Sequence, residues 1–306
     1  MIFLRRSRKF VVNYTYGGDV MKDMTSERLN YYRSYLISCE KAAATVGKYV
    51  HDVEQFIVWL NQARRYDGQA TVEKSDVLLY KQMLCEKYAP ASVNAALSSL
   101  NSYFSFCERP GLRVRNLKIQ RQLFAQSEKE LTREEYERLL ATAKARGNER
   151  LYYLMQTIAA TGIRVSEVQY ITVEALQARC AHIYCKGKYR RVILASGLCK
   201  MLKKYIKGDG IQRGAIFVSK HGRVLDRSNI WAEMKKLCRQ AGVPSEKVYP
   251  HNLRHLFART FYSKQKDIVR LADILGHSSV NTTRIYTVES GEVHRRQLEE
   301  LCLLRC

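Results

Sequence analysis

Acidic residues are scarce in this sequence. There are 29 of them against 52 lysines and arginines, a formal net charge of +23 over 306 residues. So lopsided a balance does not suit a generic cytosolic enzyme. It predicts an extended polyanionic partner, most simply nucleic acid, held with strong salt dependence. Cys-x-x-Cys is absent, and the nine cysteines are scattered. An odd count at irregular spacing argues against a disulfide framework and against structural zinc; reduced, mostly buried thiols in a cytoplasm are expected. No apolar run reaches the length of a membrane span, and none has the layout of a secretory signal, so no membrane partner is expected. A Walker-type phosphate loop and a Ser-His-Asp set are missing as well.

What is present is a chain 46% hydrophobic, enough for the cores of two domains or one large one. The pattern predicts a mainly α protein with a small antiparallel β-sheet. Residues 1–24 are basic and lack a helical period. They read either as an over-extended gene start, with the native start at Met21 or Met24, or as an arm touching DNA phosphates. Residues 25–110 read as four amphipathic helices. Leu29, Tyr32 and Leu36 mark the first, and Val46, Val50, Val53, Phe56 and Leu60 the second. Ser75 is the expected N-cap of the third, and Pro90 lies in the first turn of the fourth. Residues 111–130 read as an extended linker with a basic edge. Its Arg113, Arg115, Lys118 and Arg121 would cross a DNA backbone or simply face solvent.

Residues 131–289 form the second expected domain. Thr132 and Glu135 spell a capping box, with Leu131 as staple. "ERLYYLMQTIAATG" is an apolar helix ending at Gly162, and "AHIYCKGKYRRVILA" is a hairpin with a basic turn. "AIFVS" and "GRVL" read as a short strand pair, and "SNIWAEMKKLCRQAG" as one helix closed by Gly242. Three helical pieces follow, ending in "LGHSSVNTTRIYT". Residues 290–306 read as an amphipathic helix that docks on a neighbouring protomer or in cis.

The polar residues near element ends in the second domain are Arg164, Lys186, His251, Arg254 and His277, with Tyr286 following. They include no carboxylate pair to hold a metal. A phosphodiester needs this kind of set. Arginine forks bond its nonbridging oxygens and keep their charge. A lysine of lowered pKa can protonate a leaving alkoxide, and a tyrosine hydroxyl can attack phosphorus.

These residues resemble the tyrosine recombinase family, also called the phage integrase family. "ATGIRVSEV" is similar to its first arginine box, "CKGKYRRVIL" to its β-hairpin lysine segment, "HNLRHLFA" to its His-x-x-Arg box and "LGHSSVNTTRIYT" to its His-to-Tyr box. The resemblance implies an N-terminal four-helix core-binding (SAM-like) domain and an α+β catalytic domain. It implies that Arg164 and Arg254 clamp the scissile phosphate and that Lys186 protonates the leaving 5′ oxygen. His251 would assist proton transfer, His277 would bond a nonbridging oxygen, and Tyr286 would form a 3′-phosphotyrosine link. That ester keeps the phosphodiester energy, so neither ATP nor another cofactor is implied. Glu167 matches a supporting acidic position; it orients an arginine or is a helix-surface acid.

The assignment of the lysine rests on motif position. Cys185 stands where the family often has glycine, and Lys188 lies two residues on as a second candidate and DNA contact. Tyr262 is a weaker nucleophile candidate than Tyr286, Tyr184 reads as a packing residue of the hairpin, and His255 reads as structural. Leu256 and Arg259 depart from the family's commoner small or hydroxylated residues. The resemblance further implies double-stranded core sites as substrate, a homotetramer on two paired sites, and accessory proteins that bend DNA or set direction. Few residues precede the helices, so no arm-type DNA-binding domain is expected. Integration or excision of a mobile element is the expected role. The alternatives are an Xer-like dimer resolvase, a type IB topoisomerase and a non-catalytic DNA-binding protein.

Overall fold

A computed structural model describes residues 25–64, 72–119, 127–185, 188–219, 221–286 and 299–300. The chain divides into two compact units between residues 121 and 122. The N-terminal extension, Arg121, Lys186 and the tail, apart from residues 299–300, lie outside the described residues.

The first unit holds α1 (Ser26–Ser38), α2 (Ala43–Arg64), α3 (Lys74–Lys87) and α4 (Pro90–Phe106). Thr25 caps α1 by accepting from the Arg28 N–H at 3.1 Å. Pro90 occupies the first turn of α4, where a missing N–H costs nothing. The apolar stripes meet in a core of interlocked rings: Tyr32 and Tyr103 pack edge to face at 5.0 Å, Phe56 and Phe104 at 6.1 Å. The cap of α3 differs from expectation. Ser75 lies inside the helix, and Glu73 is the cap, its N–H held by the Asp76 carboxylate at 2.9 Å. An acid three residues past the cap outcompetes the nearer serine.

Two asparagines seven residues apart share one face of α4 and hold the start of the expected linker. Asn101 exchanges bonds with the backbone of Val114 at 2.8 and 2.9 Å, and Asn94 with that of Leu117 at 2.9 and 2.7 Å. Leu112 and Val114 are buried, while Arg113, Arg115 and Lys118 point outward. The alternation of that stretch is thus strand-like, although its backbone bonds go to side chains.

The second unit holds α5 (Arg133–Ala145), α6 (Glu149–Thr161), α7 (Val173–Ala178), β1 (Cys180–Cys185), β2 (Lys188–Ile193), α8 (Ser196–Gly208), α9 (Arg227–Lys235), α10 (Cys238–Ala241), α11 (Pro250–Gln265), α12 (Ile268–Leu275) and α13 (Val280–Thr283). The capping box of α5 forms: Thr132 Oγ1 accepts from Glu135 N at 3.2 Å, and Glu135 Oε2 from Thr132 N at 2.9 Å. Strands β1 and β2 pair antiparallel, with Ile183 opposite Arg190 and Cys185 opposite Lys188. α6 is central, its apolar residues Leu151, Leu154, Met155 and Ile158 buried in the core.

Two segments differ from the sequence reading. The expected strand pair reduces to one bridge between Val218 and Val224. Ile216 and Phe217 are consecutive and both fully buried, so this stretch plugs the core instead of alternating. The single helix expected before Gly242 is two, α9 and α10. The ladder tightens where the Leu237 N–H reaches the Met234 carbonyl, three residues back, at 3.1 Å.

Candidate active site

α6 stops at Gly162, whose φ of +64° is left-handed. A Cβ there would lie 2.5 Å from Phe257 Cδ1 and 2.9 Å from Leu275. Only glycine lets α11 and α12 close on this turn. The chain then enters Arg164, which precedes a 3₁₀ turn over Val165–Tyr170. Glu167, on that turn, is buried. Its carboxylate accepts from Arg164 N at 2.7 Å, Arg164 Nη1 at 3.0 Å and Arg190 Nη2 at 2.6 Å. Burial pushes its pKa up. The bonds from Arg164 and Arg190 and their charges outweigh that and hold it below the ordinary carboxylate value.

Arg190 comes from β2 on the face of Val192, which is buried. Its Nη1 donates to the Ile274 carbonyl at 2.5 Å, at the end of α12. Its stem lies beneath Gly276, where a Cβ would approach Arg190 Cδ to 2.5 Å.

Arg254 is the largest fully buried side chain of the molecule's described residues. It donates to the carbonyl of Gly162 and, at 2.8 Å, to that of Leu275. Its Nη2 also lies 3.0 Å from His277 Nε2. Burial and the neighbouring Arg164 lower its pKa to about 10, so it stays charged at neutral pH. A guanidinium only donates, so His277 Nε2 accepts and His277 Nδ1 carries the proton. That proton points to Thr283 Oγ1, 2.8 Å away. Burial, then the charges of Arg254 and Arg164, push the His277 pKa down to about 4. His251, at the start of α11, is shifted down by burial and by Arg254.

The polar run between His277 and Tyr286 folds as a hinge. Gly276, with φ of +65°, ends α12, and Ser279 Oγ accepts from Asn281 N to start α13. Thr283 is fully buried against His277, so the run fixes the imidazole as well as spacing it. A 3₁₀ turn then delivers Tyr286, 6% exposed. Its ring stacks on His277 at 6.5 Å and 12°, and meets His255 edge-on at 5.1 Å. Burial raises the Tyr286 pKa, while the charge and hydrogen bond of Arg254, with Arg164 and Arg259, pull it back.

A cavity of about 810 Å³ opens over Arg164, His251, Arg254 and His277, with Arg190 and Arg227 on its walls. The sequence profile of the Phage integrase family matches residues 129–292, more than half of the chain. The chain belongs to the phage integrase family. Its first unit matches the family's N-terminal SAM-like domain over residues 29–111. This tyrosine-type site-specific recombinase cleaves and rejoins DNA.

Tyrosine recombinase XerD of Listeria monocytogenes is 25% identical over 283 residues, spanning 87% of this chain and 94% of its own. Tyrosine recombinase XerA of Pyrococcus furiosus is 27% identical over 293 residues, spanning 92% and 96%. The solved structure of the XerH site-specific recombinase bound to palindromic difH substrate, a post-cleavage complex, shares the fold. Its TM-score is 0.70 at 20% identity, over 90% of this chain and 84% of that one.

In this recombinase the structure brings five of the six expected residues together: Arg164, His251, Arg254 and His277 around the cavity, and Tyr286 against His277. Lys186 lies outside the described residues, and for Lys188 only the backbone pairing with Cys185 is described. Arg113, Arg115 and Lys118 are exposed on the first unit. Arg190 and Thr283 were missed by sequence reasoning. A signal existed for Arg190: a charge at an inward strand position, between Ile183 and Val192 on the same face. None existed for Thr283, which is one of several small polar residues in its run.

Proposed function

We propose that Arg164, Lys186, His251, Arg254, His277 and Tyr286 form one phosphodiester-cleaving site, with Glu167 as its internal anion. The observation that supports this best is the position of Tyr286. Its phenol is buried against His277 and feels the charge of Arg254 and Arg164, beside a cavity lined by both arginines and by His277. The scissile phosphate sits between the two arginines, which neutralise the charge that grows on its nonbridging oxygens. The Tyr286 oxygen attacks phosphorus as the bond to the 5′ oxygen breaks. His251, neutral at pH 7 because its pKa is lowered, takes up the phenolic proton. Lys186 gives a proton to the departing 5′ oxygen. The product is a 3′-phosphotyrosine and a free 5′ hydroxyl. Attack by a 5′ hydroxyl of another strand reverses the steps and rejoins the DNA.

The test is a nicked suicide duplex made from the junction flanking the gene. The wild-type protein forms a covalent adduct at the junction, and Tyr286→Phe forms none. An adduct of equal yield with Tyr286→Phe would remove Tyr286 as nucleophile.

The substrate proposed is a pair of short duplex core sites, held by four protomers and assisted by bending or directionality proteins. The exposed Arg113, Arg115 and Lys118 suit contacts to the DNA backbone. Integration and excision of a mobile element is the role we favour, because the motif boxes as a whole deviate from the tighter Xer pattern. The near full-length match to proteins named Xer recombinases supports a second reading, dimer resolution. Recombination between two element junctions, compared with that between two chromosomal dimer-resolution sites, separates the roles.

A further inference from the structure

We propose that Arg190 is a positioning residue that holds Arg164 and His277 in register with each other, so that both meet the same phosphate. The inference rests on the reading of those two residues as phosphate ligands, His277 in the tautomer that carries its proton on Nε2 while Nδ1 accepts from the Thr283 hydroxyl. One guanidinium spans two structures that are far apart in sequence. Nη2 holds Glu167 at 2.6 Å, and Glu167 in turn fixes both the backbone and the side chain of Arg164. Nη1 holds the Ile274 carbonyl at 2.5 Å, three residues before His277. The stem fills the space left by the missing side chain of Gly276, the residue that turns the chain into His277.

The fit is too close for a loosely held surface arginine. The side chain is 14% exposed, and its carboxylate partner 2%. Both oxygens of Glu167 are committed to donors from Arg164 and Arg190. The network carries a direction: β2 to the arginine turn on one side, and β2 to the histidine turn on the other. Without Arg190 each turn keeps its own local bonds. Arg164 keeps Glu167, and His277 keeps Arg254 and Thr283. What is lost is one of the two ties between them; Arg254, which bonds the Gly162 and Leu275 carbonyls, keeps the other. A displacement of about 1 Å between catalytic groups costs on the order of 100-fold in rate.

A merely structural role would slow every substrate alike. A positioning role exercised through ligands of the charged oxygens would not. The experiment compares single-turnover adduct formation on two nicked junction duplexes, identical except that one carries a methylphosphonate at the scissile position. That group carries a methyl in place of one nonbridging oxygen and is uncharged, so its cleavage depends less on oxyanion ligands. Arg190→Met keeps the stem under Gly276 and removes both bonds. We expect it to lose roughly 10- to 100-fold on the phosphodiester and much less on the methylphosphonate. Arg190→Lys keeps a cation near Glu167 without spanning to Ile274. It should fall between Arg190→Met and wild type with the same preference, and it carries the test if Arg190→Met does not fold.

Equal losses on the two substrates, or no loss on either, would overturn the proposal. Arg164→Ala serves as the reference. If its defect also fails to shrink on the methylphosphonate, the phosphate-ligand reading falls and this inference with it. If the Arg164→Ala defect shrinks and the Arg190 defect does not, only the positioning role of Arg190 is lost.

Discussion

Gly162→Ala is a single methyl group with two separable costs. The first is conformational: φ is +64°, and an L-residue in that region loses about 1–2 kcal/mol. The second is steric. The new Cβ would stand 2.5 Å from Phe257 Cδ1 and 2.9 Å from Leu275 Cδ2, on two different helices that cannot both retreat. Overpacking of that kind costs about 1–3 kcal/mol. Their sum, about 2–5 kcal/mol, corresponds to a fall in Tm on the order of 4–20 °C for a unit of this size. Gly147→Ala isolates the first cost, because φ there is +65° and nothing lies within 4 Å of the new Cβ. Thermal melts of the two variants side by side therefore read the steric part as a difference. The displaced backbone also carries function. The Gly162 carbonyl accepts from Arg254, so Gly162→Ala slows adduct formation on the suicide duplex, whereas Gly147→Ala leaves it unchanged. Equal Tm losses in the two variants would refute the claim that α11 and α12 close on Gly162.

Acid should weaken the protein before its carboxylates titrate. His277 and His255 have pKa values pushed down to about 4 by burial, against 6.5 for an ordinary histidine. Between those values the unfolded chain binds more protons than the folded one, so stability falls as pH drops from about 6.5 toward 4. Melts at pH 7, 6 and 5 should show a declining Tm, and His255→Leu should flatten the decline; a Tm constant across that range would count against neutral, buried imidazoles. Thr132→Ala removes the acceptor for Glu135 N at the start of α5 and should cost about 1 kcal/mol, measured as the urea midpoint. Thr132→Ser should restore it.

The elements that were legible in the sequence are those whose cause is local. Thr132 and Glu135 are three residues apart, and their box forms as written. The hairpin register follows from two β-rich runs around a two-residue turn, and the stop at Gly162 from glycine's access to positive φ. Most of what was not legible depends on partners far away in the chain; the cap of α3 is a local exception, where Asp76 holds the N–H of Glu73 and Ser75 is not the cap. Ile216 and Phe217 were read as a strand because they are β-formers, but the core claims both of their faces. Glu167 could be read as a surface acid until Arg190, 23 residues on, was seen to close over it. Sequence spacing points to the proposed reacting groups because the chemistry requires their types. It could not locate the residues that orient them, because any suitable donor from any element can serve.

The charge balance explains why the site is built this way. Arg164, Arg190 and Arg254 converge on one cavity, and Glu167 is the carboxylate that the first two share. The histidines around them are held neutral: burial first, and then the nearby cations, push His277 and His251 down. The cavity thus holds an excess of positive charge in a partly buried setting, and the pKa of Arg254 is lowered by its burial and then by the repulsion of Arg164. Glu167 relieves part of it, but its oxygens face Arg164 and Arg190, leaving Arg254 to backbone carbonyls and a histidine nitrogen. At the site proposed above, an arriving phosphate supplies the missing anion. The repulsion it relieves is present in the free protein, so the binding free energy of the phosphate includes that relief, and more of it as charge on the phosphate grows toward the transition state. A second acid beside Arg254 would make the free protein more stable and, by the same amount, a weaker ligand for the phosphate.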